Sequence, residues 1–314
     1  MREHIVAGFV AVLIILCALP YILSIPSSDN RTASQLADSN SLFATVNGSQ
    51  IHYKIYGDPI NPPVILIHGL GGSTFTWRYT IPTLQENKYF VIALDLKGFG
   101  LSQKGLDIDY SHSSQAQMIS DFMERLAIPQ AIIVGHSMGA NIATYLAMDH
   151  PEKVSKLILV DAEIKRPGFN LATQLSPIIT AFPFSQYAKQ IFTRYLSFDK
   201  QKDILKSAYF NPDNVSEDDV KGYNKAFQMK DWEDSLIGVI RDSNRNNLPR
   251  NLDTLDKPVR IIWGLQDPWI NIEDGKRINV DIKGSIMDVV EESGHLPMEE
   301  KPNEFNAILL KDLK

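Results

Sequence analysis

Ala131-Ile132-Ile133-Val134-Gly135-His136-Ser137-Met138-Gly139-Ala140-Asn141-Ile142-Ala143 is the stretch on which the reading of this chain turns. Its apolar start has the character of a buried strand, and its Ala-rich end has a helical pattern. Gly-x-Ser-x-Gly between a strand and a helix is an elbow that holds the serine at the tip of a sharp turn. Side chains at the flanks would keep strand and helix apart, so Gly135 and Gly139 are read as the residues that let them approach. Ser137 then exposes its hydroxyl as a candidate nucleophile, and the N–H of Met138 points towards the reacting carbonyl.

Upstream, Pro63-Val64-Ile65-Leu66-Ile67 is a continuous apolar pattern of the kind buried on both faces of a parallel sheet. It runs into His68-Gly69-Leu70-Gly71-Gly72. This loop has neither the Lys-Ser/Thr of a phosphate cradle nor dinucleotide spacing. As an oxyanion loop it makes better sense: its glycines let the backbone approach a substrate and aim the N–H of Leu70 into the site. Leu42–Val46 and Ile51–Tyr56 form a hairpin around Asn47-Gly48, a strong turn signal that outweighs the glycosylation sequon starting at Asn47. Trp77–Asn87 reads as a helix, Tyr89–Leu94 as a strand, and Ser113–Leu126 as the helix leading to the elbow strand. In the turn from Asp95 to Ser102, those two residues are read as hydrogen-bonding partners that shape the turn. Lys97 within it is given no function.

Downstream, Val154–Val160 ends at Asp161, and Val259–Trp263 is followed closely by Asp267. Between these buried strands there is no strand signal, only helical patterns such as Ser185–Phe198 and Ser216–Met229. The second opens on Ser216 and Asp219, a capping box. An insertion here makes a helical cap over the C-terminal edge of the strands. Its apolar residues Leu175, Ile178, Ile179, Phe182, Phe184, Ile191 and Phe192 are candidates for an acyl pocket, with the cap's own core as the alternative. Asn271–Ile282 reads as a helix, Ser285–Val290 as the last strand, Glu291–His295 as its exit loop, and Pro302–Leu313 as an amphipathic closing helix.

The 314 residues are 44% hydrophobic and 22% charged, which suits a globular protein with a sizeable core. A net charge of −6 without a basic run argues against a nucleic-acid binder. One cysteine, Cys17, leaves no intramolecular disulfide and no cysteine metal cluster. Ile5 to Ile25 carries no charge and follows Arg2; at 1.5 Å per residue it makes about 31 Å of helix, enough to cross a bilayer. A retained anchor is expected, with a cleaved signal peptide as the rival and a buried core helix as the third reading. The residues before Cys17 fit a lipoprotein site badly. In either of the first two cases the catalytic part is exported, so the protein meets the membrane through residues 1–25. Residues 26–41 are polar and read as a linker, 42–162 with 257–314 as the core, and 163–256 as the cap.

A serine hydroxyl needs a base. Of seven histidines, His4 adjoins the apolar run, His52 and His112 lie in peripheral segments, and His150 closes a helix. His68 and His136 belong to motifs and take structural roles. His295 alone follows the last strand in a Gly-His loop. The carboxylate that orients it is assigned to Asp267, which ends a strand and gives the chain order Ser–Asp–His; Asp161 is its competitor.

These motifs, His68-Gly69, the Asp95–Ser102 turn, Gly-His-Ser-Met-Gly, Gly264-Leu265-Gln266-Asp267 and Gly294-His295, stand in the order of the α/β-hydrolase fold superfamily. From about Leu42 to the C-terminus the chain resembles a lid-containing serine esterase or lipase, similar to bacterial carboxylesterases and membrane-anchored monoacylglycerol lipases. The resemblance implies an α/β fold with a mostly parallel central sheet flanked by helices and a cap between two strands. It implies Ser137, Asp267 and His295 as catalytic residues, the Leu70 and Met138 amides as oxyanion hole, a small-molecule ester as substrate, and neither cofactor nor metal. Soluble epoxide hydrolases and haloalkane dehalogenases carry aspartate where this chain has Ser137. C–C bond hydrolysis, perhydrolysis and ligand binding without turnover are the alternatives on the same site, because a fold does not establish turnover.

Overall fold

A computed structural model describes residue 18 and residues 30–163, 178, 180–181, 184–246 and 252–313. The expected apolar anchor and the cap residues Leu175, Ile179 and Phe182 lie outside the described residues, save Ala18. Among the described residues no helix is long and apolar enough to cross a membrane.

Eight strands form one sheet in the order β1-β2-β4-β3-β5-β6-β7-β8. They are β1 Leu42–Val46, β2 Ser49–Tyr56, β3 Pro63–Ile67, β4 Phe90–Leu94, β5 Ala131–His136, β6 Val154–Val160, β7 Val259–Gly264 and β8 Ile286–Val290. The β1–β2 and β2–β4 pairs are antiparallel; every pairing from β4 to β8 is parallel. The Asn47-Gly48 turn has positive φ at both residues (47° and 80°), the conformation a tight hairpin requires. The continuous apolar strands β3, β4 and β5 are buried on both faces, so one large core lies on each side of the sheet.

The helix Met138–Asp149 follows β5 directly and packs back onto β5 and β6. A helical insert joins β6 to β7 and includes Phe184–Tyr195, Phe198–Ala208, Glu217–Asn224 and Trp232–Asp242. The capping box at its third described helix is formed as expected: Ser216 accepts from the Asp219 N–H, and Asp219 accepts from the Ser216 N–H. Two helices differ from expectation: Ser216–Met229 is the helix Glu217–Asn224 followed by a 3-10 turn, Lys225–Gln228. Trp77–Asn87 splits into a 3-10 turn, Thr74–Trp77, and a short helix, Ile81–Glu86. Pro82 is the reason, since its ring clashes with a preceding helical turn but suits the first turn of a new one.

The described part of the expected linker is docked. Arg31 bridges to the cap backbone, donating to Gln228 O at 3.0 Å and accepting from the Lys230 N–H at 3.0 Å. The short helix Ala33–Leu36 buries Leu36 against Leu101 and Met229.

Candidate active site

The parallel strands aim their C-terminal ends at one edge of the sheet, and the elbow stands at its centre on β5. Ser137 has φ 52 and ψ −119, a strained turn position. Its N–H donates to Val160 O at 2.8 Å, which stitches the elbow to β6. A Cβ on Gly139 would meet Ile67 O at 2.6 Å, and one on Gly135 would meet Ala140 Cα at 2.7 Å. Both positions therefore need glycine for close approach, as the motif implied. The Gly-rich loop presses on the elbow from the other side: a Cβ on Gly69 would meet Ser137 Cβ at 2.9 Å.

His295 is held from four directions. Its Nδ1 and Asp267 Oδ2 are 2.7 Å apart, with both side chains shielded from solvent. Its backbone N–H donates to the cap's Ala208 O at 2.8 Å, and its own carbonyl accepts from His136 Nε2–H at 2.7 Å. The Trp269 ring lies 5.0 Å from the imidazole, centroid to centroid. Asp267 is fixed in turn, because its Oδ1 accepts the N–H groups of Trp269 (2.7 Å) and Ile270 (3.0 Å). Glu300 braces the loop before the histidine by accepting from the Gly294 N–H at 2.7 Å; burial pushes its carboxyl up to about 7.

Three other histidines, His52, His68 and His136, have structural partners. His68 Nδ1–H donates to Gly69 O at 2.7 Å and Nε2 accepts from the Leu96 N–H at 3.1 Å, which fixes the tautomer and the Gly-rich loop together. Burial lowers the pKa of His68, and lowers that of His136 further, so both are neutral imidazoles. Asp95 accepts from the Thr74 and Leu101 N–H groups at 2.7 Å each and pairs with His52 at 2.7 Å, while Ser102 donates to its carbonyl. That is the turn-shaping role read from the sequence.

Ser137, His295 and Leu70 line one cavity of about 270 Å³, closed on the far side by the cap. At about 30 Å³ per water it has room for about nine waters or a small organic group. Ser137 and His295 face it without a hydrogen bond to each other among the described contacts; such bonds commonly tighten only in the substrate complex. Met138 begins the elbow helix, its side chain in the core and its amide at the helix N-terminus. The cap wall is made by Leu196, Ile204, Leu205, Ala208, Tyr223 and Phe227. Ile178, Phe184, Ile191 and Phe192, the described members of the expected acyl pocket, do not line it. Helical periodicity marks an apolar face but not which neighbour that face meets, so the pocket-facing helices were not separable from the rest. Trp269 was also missed; its only sequence signal is its place two residues after Asp267.

Residues 62–302 match the family model for the alpha/beta hydrolase fold. An uncharacterized hydrolase of Bacillus subtilis, YugF, is 31% identical over 260 residues, covering 82% of this chain and 92% of the relative. A soluble epoxide hydrolase of Corynebacterium is 26% identical over 286 residues, covering 82% of this chain and 92% of the relative. The solved structure of a putative lipase from Acinetobacter baumannii is 26% identical, with a TM-score of 0.69, covering 90% of this chain and 93% of that one. With its eight-stranded, mostly parallel sheet, its elbow and its cap between β6 and β7, the chain belongs to the α/β-hydrolase fold family.

Proposed function

We propose that the protein is a serine hydrolase that cleaves carboxylic esters of small or lipophilic acyl groups through an acyl-enzyme. The observation that carries this reading is the Asp267–His295 hydrogen bond at the wall of the cavity that Ser137 enters from its elbow. In the proposed reaction Ser137 Oγ attacks the ester carbonyl while His295 Nε2 takes its proton. Asp267 keeps the proton on Nδ1 and stabilises the imidazolium. The oxyanion is received by the amides of Leu70 and Met138. His295 then protonates the leaving alkoxide, and the alcohol departs. A water, deprotonated by the same imidazole, attacks the acyl-enzyme, releasing the acid and restoring Ser137.

Serine rather than aspartate at the elbow supports ester over epoxide chemistry, although epoxide hydrolases are among the similar proteins. The apolar cap wall supports an acyl chain or other apolar substituent as the bound part. A screen of p-nitrophenyl esters from acetate to palmitate, alongside monoacylglycerols, tests the reading. Turnover by wild type and its loss in Ser137→Ala is the expected result. A wild type that binds these esters without hydrolysing them would make the protein a ligand-binding member of the fold instead.

A further inference from the structure

Asp161 directly follows β6 with φ 41, in the left-handed region, and with its side chain wholly buried. A non-glycine residue there is strained, and a carboxyl group away from water is unfavourable in its own right. Both penalties fall at one position beside the elbow. Asp161 Oδ1 accepts the Gly264 N–H at 2.9 Å. Among the described residues its buried Oδ2 has no N–H or hydroxyl donor. What this oxygen has nearby is another acceptor: ligating atoms of Asp161, Asp267 and His295 all lie within 4.8 Å of one another. Two carboxylates so placed in a dry site repel, whereas a single proton between them makes a hydrogen bond. The donors decide which one keeps the charge. Among the described residues Asp267 accepts from Trp269, Ile270 and His295, and Asp161 accepts from Gly264 alone.

We propose that Asp161 is a positioning residue of the active site: it stands as the neutral acid, and its hydroxyl donates from Oδ2 to the Asp267 carboxylate, fixing that carboxylate against His295 Nδ1. Through Gly264 it also grips the start of the loop that carries Asp267, whose own N–H donates to Gly264 O at 3.2 Å. The surroundings favour the neutral form. Burial first, then the charge of Asp267, and more weakly that of Glu300, push the Asp161 carboxyl well above the ordinary carboxylate range. Two carboxyls and an imidazole are also a metal donor set, but the 2.7 Å hydrogen bond between His295 and Asp267 already occupies it.

The inference rests on the triad named above, so its test avoids any choice of ester. The rate at which a fluorophosphonate phosphonylates Ser137 is followed by intact mass from about pH 5 to 10. In that reaction the serine oxygen bonds to phosphorus, His295 takes the proton and fluoride leaves. Asp161→Asn keeps an acceptor for Gly264 and an N–H donor for Asp267, but it cannot ionise. It is expected to react within about threefold of wild type near neutrality, whereas Asp161→Ala, which loses the bond, slows by about tenfold or more. Wild type is expected to lose rate on the alkaline side, where ionised Asp161 sets a second negative charge against Asp267; Asp161→Asn is expected to lose that decline. Glu300→Gln, which removes the half-buried carboxyl that accepts the Gly294 N–H, is expected to keep it.

An Asn variant as slow as the Ala variant while both remain folded by circular dichroism would overturn the proposal. So would an alkaline decline that persists in Asp161→Asn, or one that vanishes in Glu300→Gln. Should Asp161→Ala not fold, the profile of the Asn variant alone decides. If this pattern is found but no ester is turned over, the carboxyl pair stands and the ester assignment falls. If wild-type Ser137 is not phosphonylated at all, the triad and this proposal fall together.

Discussion

Ser137 keeps a side chain at a φ of 52°, where a non-glycine residue costs about 1–3 kcal/mol. Ser137→Ala keeps the Cβ and so keeps the strain; it is expected to lower turnover at least about ten-thousandfold with little change in stability. Ser137→Gly is expected to be equally inactive but more stable by about 1 kcal/mol. Equal denaturant midpoints for the two variants would refute the strain argument. Asp267→Asn is expected to cost about ten-thousandfold, since an amide cannot stabilise the imidazolium, and Asp161→Asn far less. An Asp161→Asn variant worse than Asp267→Asn would exchange their roles. Asp161 also has a signature in stability. Its folded pKa is raised, so the folded state holds a proton that the unfolded chain releases, and stability drains away as pH rises from about 3.8 to the folded value. The stability difference, Asn variant minus wild type, is therefore expected to grow by about 1.4 kcal/mol per pH unit across that window. A difference independent of pH would show that Asp161 is ionised in the folded protein. Ser137, Asp267 and His295 were legible as candidates because each sits in a local signal at a strand end. The pairing of Asp161 with Asp267 was not: in the sequence they compete for one role, and only the adjacency of β6 and β7 sets both beside one imidazole.

Elements explain how the cap becomes part of the site rather than a cover for it. Ala208, at the end of the cap helix Phe198–Ala208, accepts the His295 N–H. A second link is the buried cluster around Glu299, in the short helix Pro297–Glu300. Glu299 accepts from Arg78 at 2.8 Å, from Tyr209 at 2.7 Å and from Tyr223, and Arg78 also reaches the cap's Asp219 at 2.6 Å. The pairing with Glu299 more than offsets burial and pushes the Arg78 guanidinium above its ordinary range, so its charge is permanent. Removing Glu299 takes the acceptor from the Tyr209 and Tyr223 hydroxyls, at about 1–3 kcal/mol each, while Arg78 keeps Asp219. Glu299→Ala is expected to lose that much stability and to raise KM, because Tyr223 lines the cavity and Tyr209 adjoins Ala208. A loss below about 1 kcal/mol by denaturant titration would mean that the cap is seated by its apolar contacts alone. The insert itself could be read from the missing strand signal, and its capping box from Ser216 and Asp219. Its orientation could not, since Arg78, Glu299 and Tyr223 lie far apart in the chain and carry no shared pattern.

At the scale of the molecule, the sheet was legible because strands buried on both faces read as short unbroken apolar runs, the pattern of a parallel sheet between two helical layers. Residues 26–41 read as a polar linker, and the docking of Arg31 and Leu36 changes what the expected anchor would do. Ile25 and Arg31 are six residues apart, so the chain between them spans at most about 22 Å at 3.6 Å per residue. If Ile5–Ile25 crosses a bilayer, the cap, held by Arg31 at Gln228 and Lys230, stands within that reach of its surface. A lipophilic ester would then travel little water between bilayer and cavity. We expect the full chain to sediment with membranes and resist carbonate extraction, and a chain starting at Asn30 to be soluble with unchanged kcat on short esters. A start at Ser41 is different: it also removes the Arg31 bridge and the buried Leu36, and is expected to lower stability by about 1.5–3 kcal/mol for that leucine. N-terminal sequencing of the native protein decides between anchor and signal. A soluble mature chain beginning just after Ser24 would remove the anchor, while leaving the docked segment from Asn30 onwards as part of the folded unit.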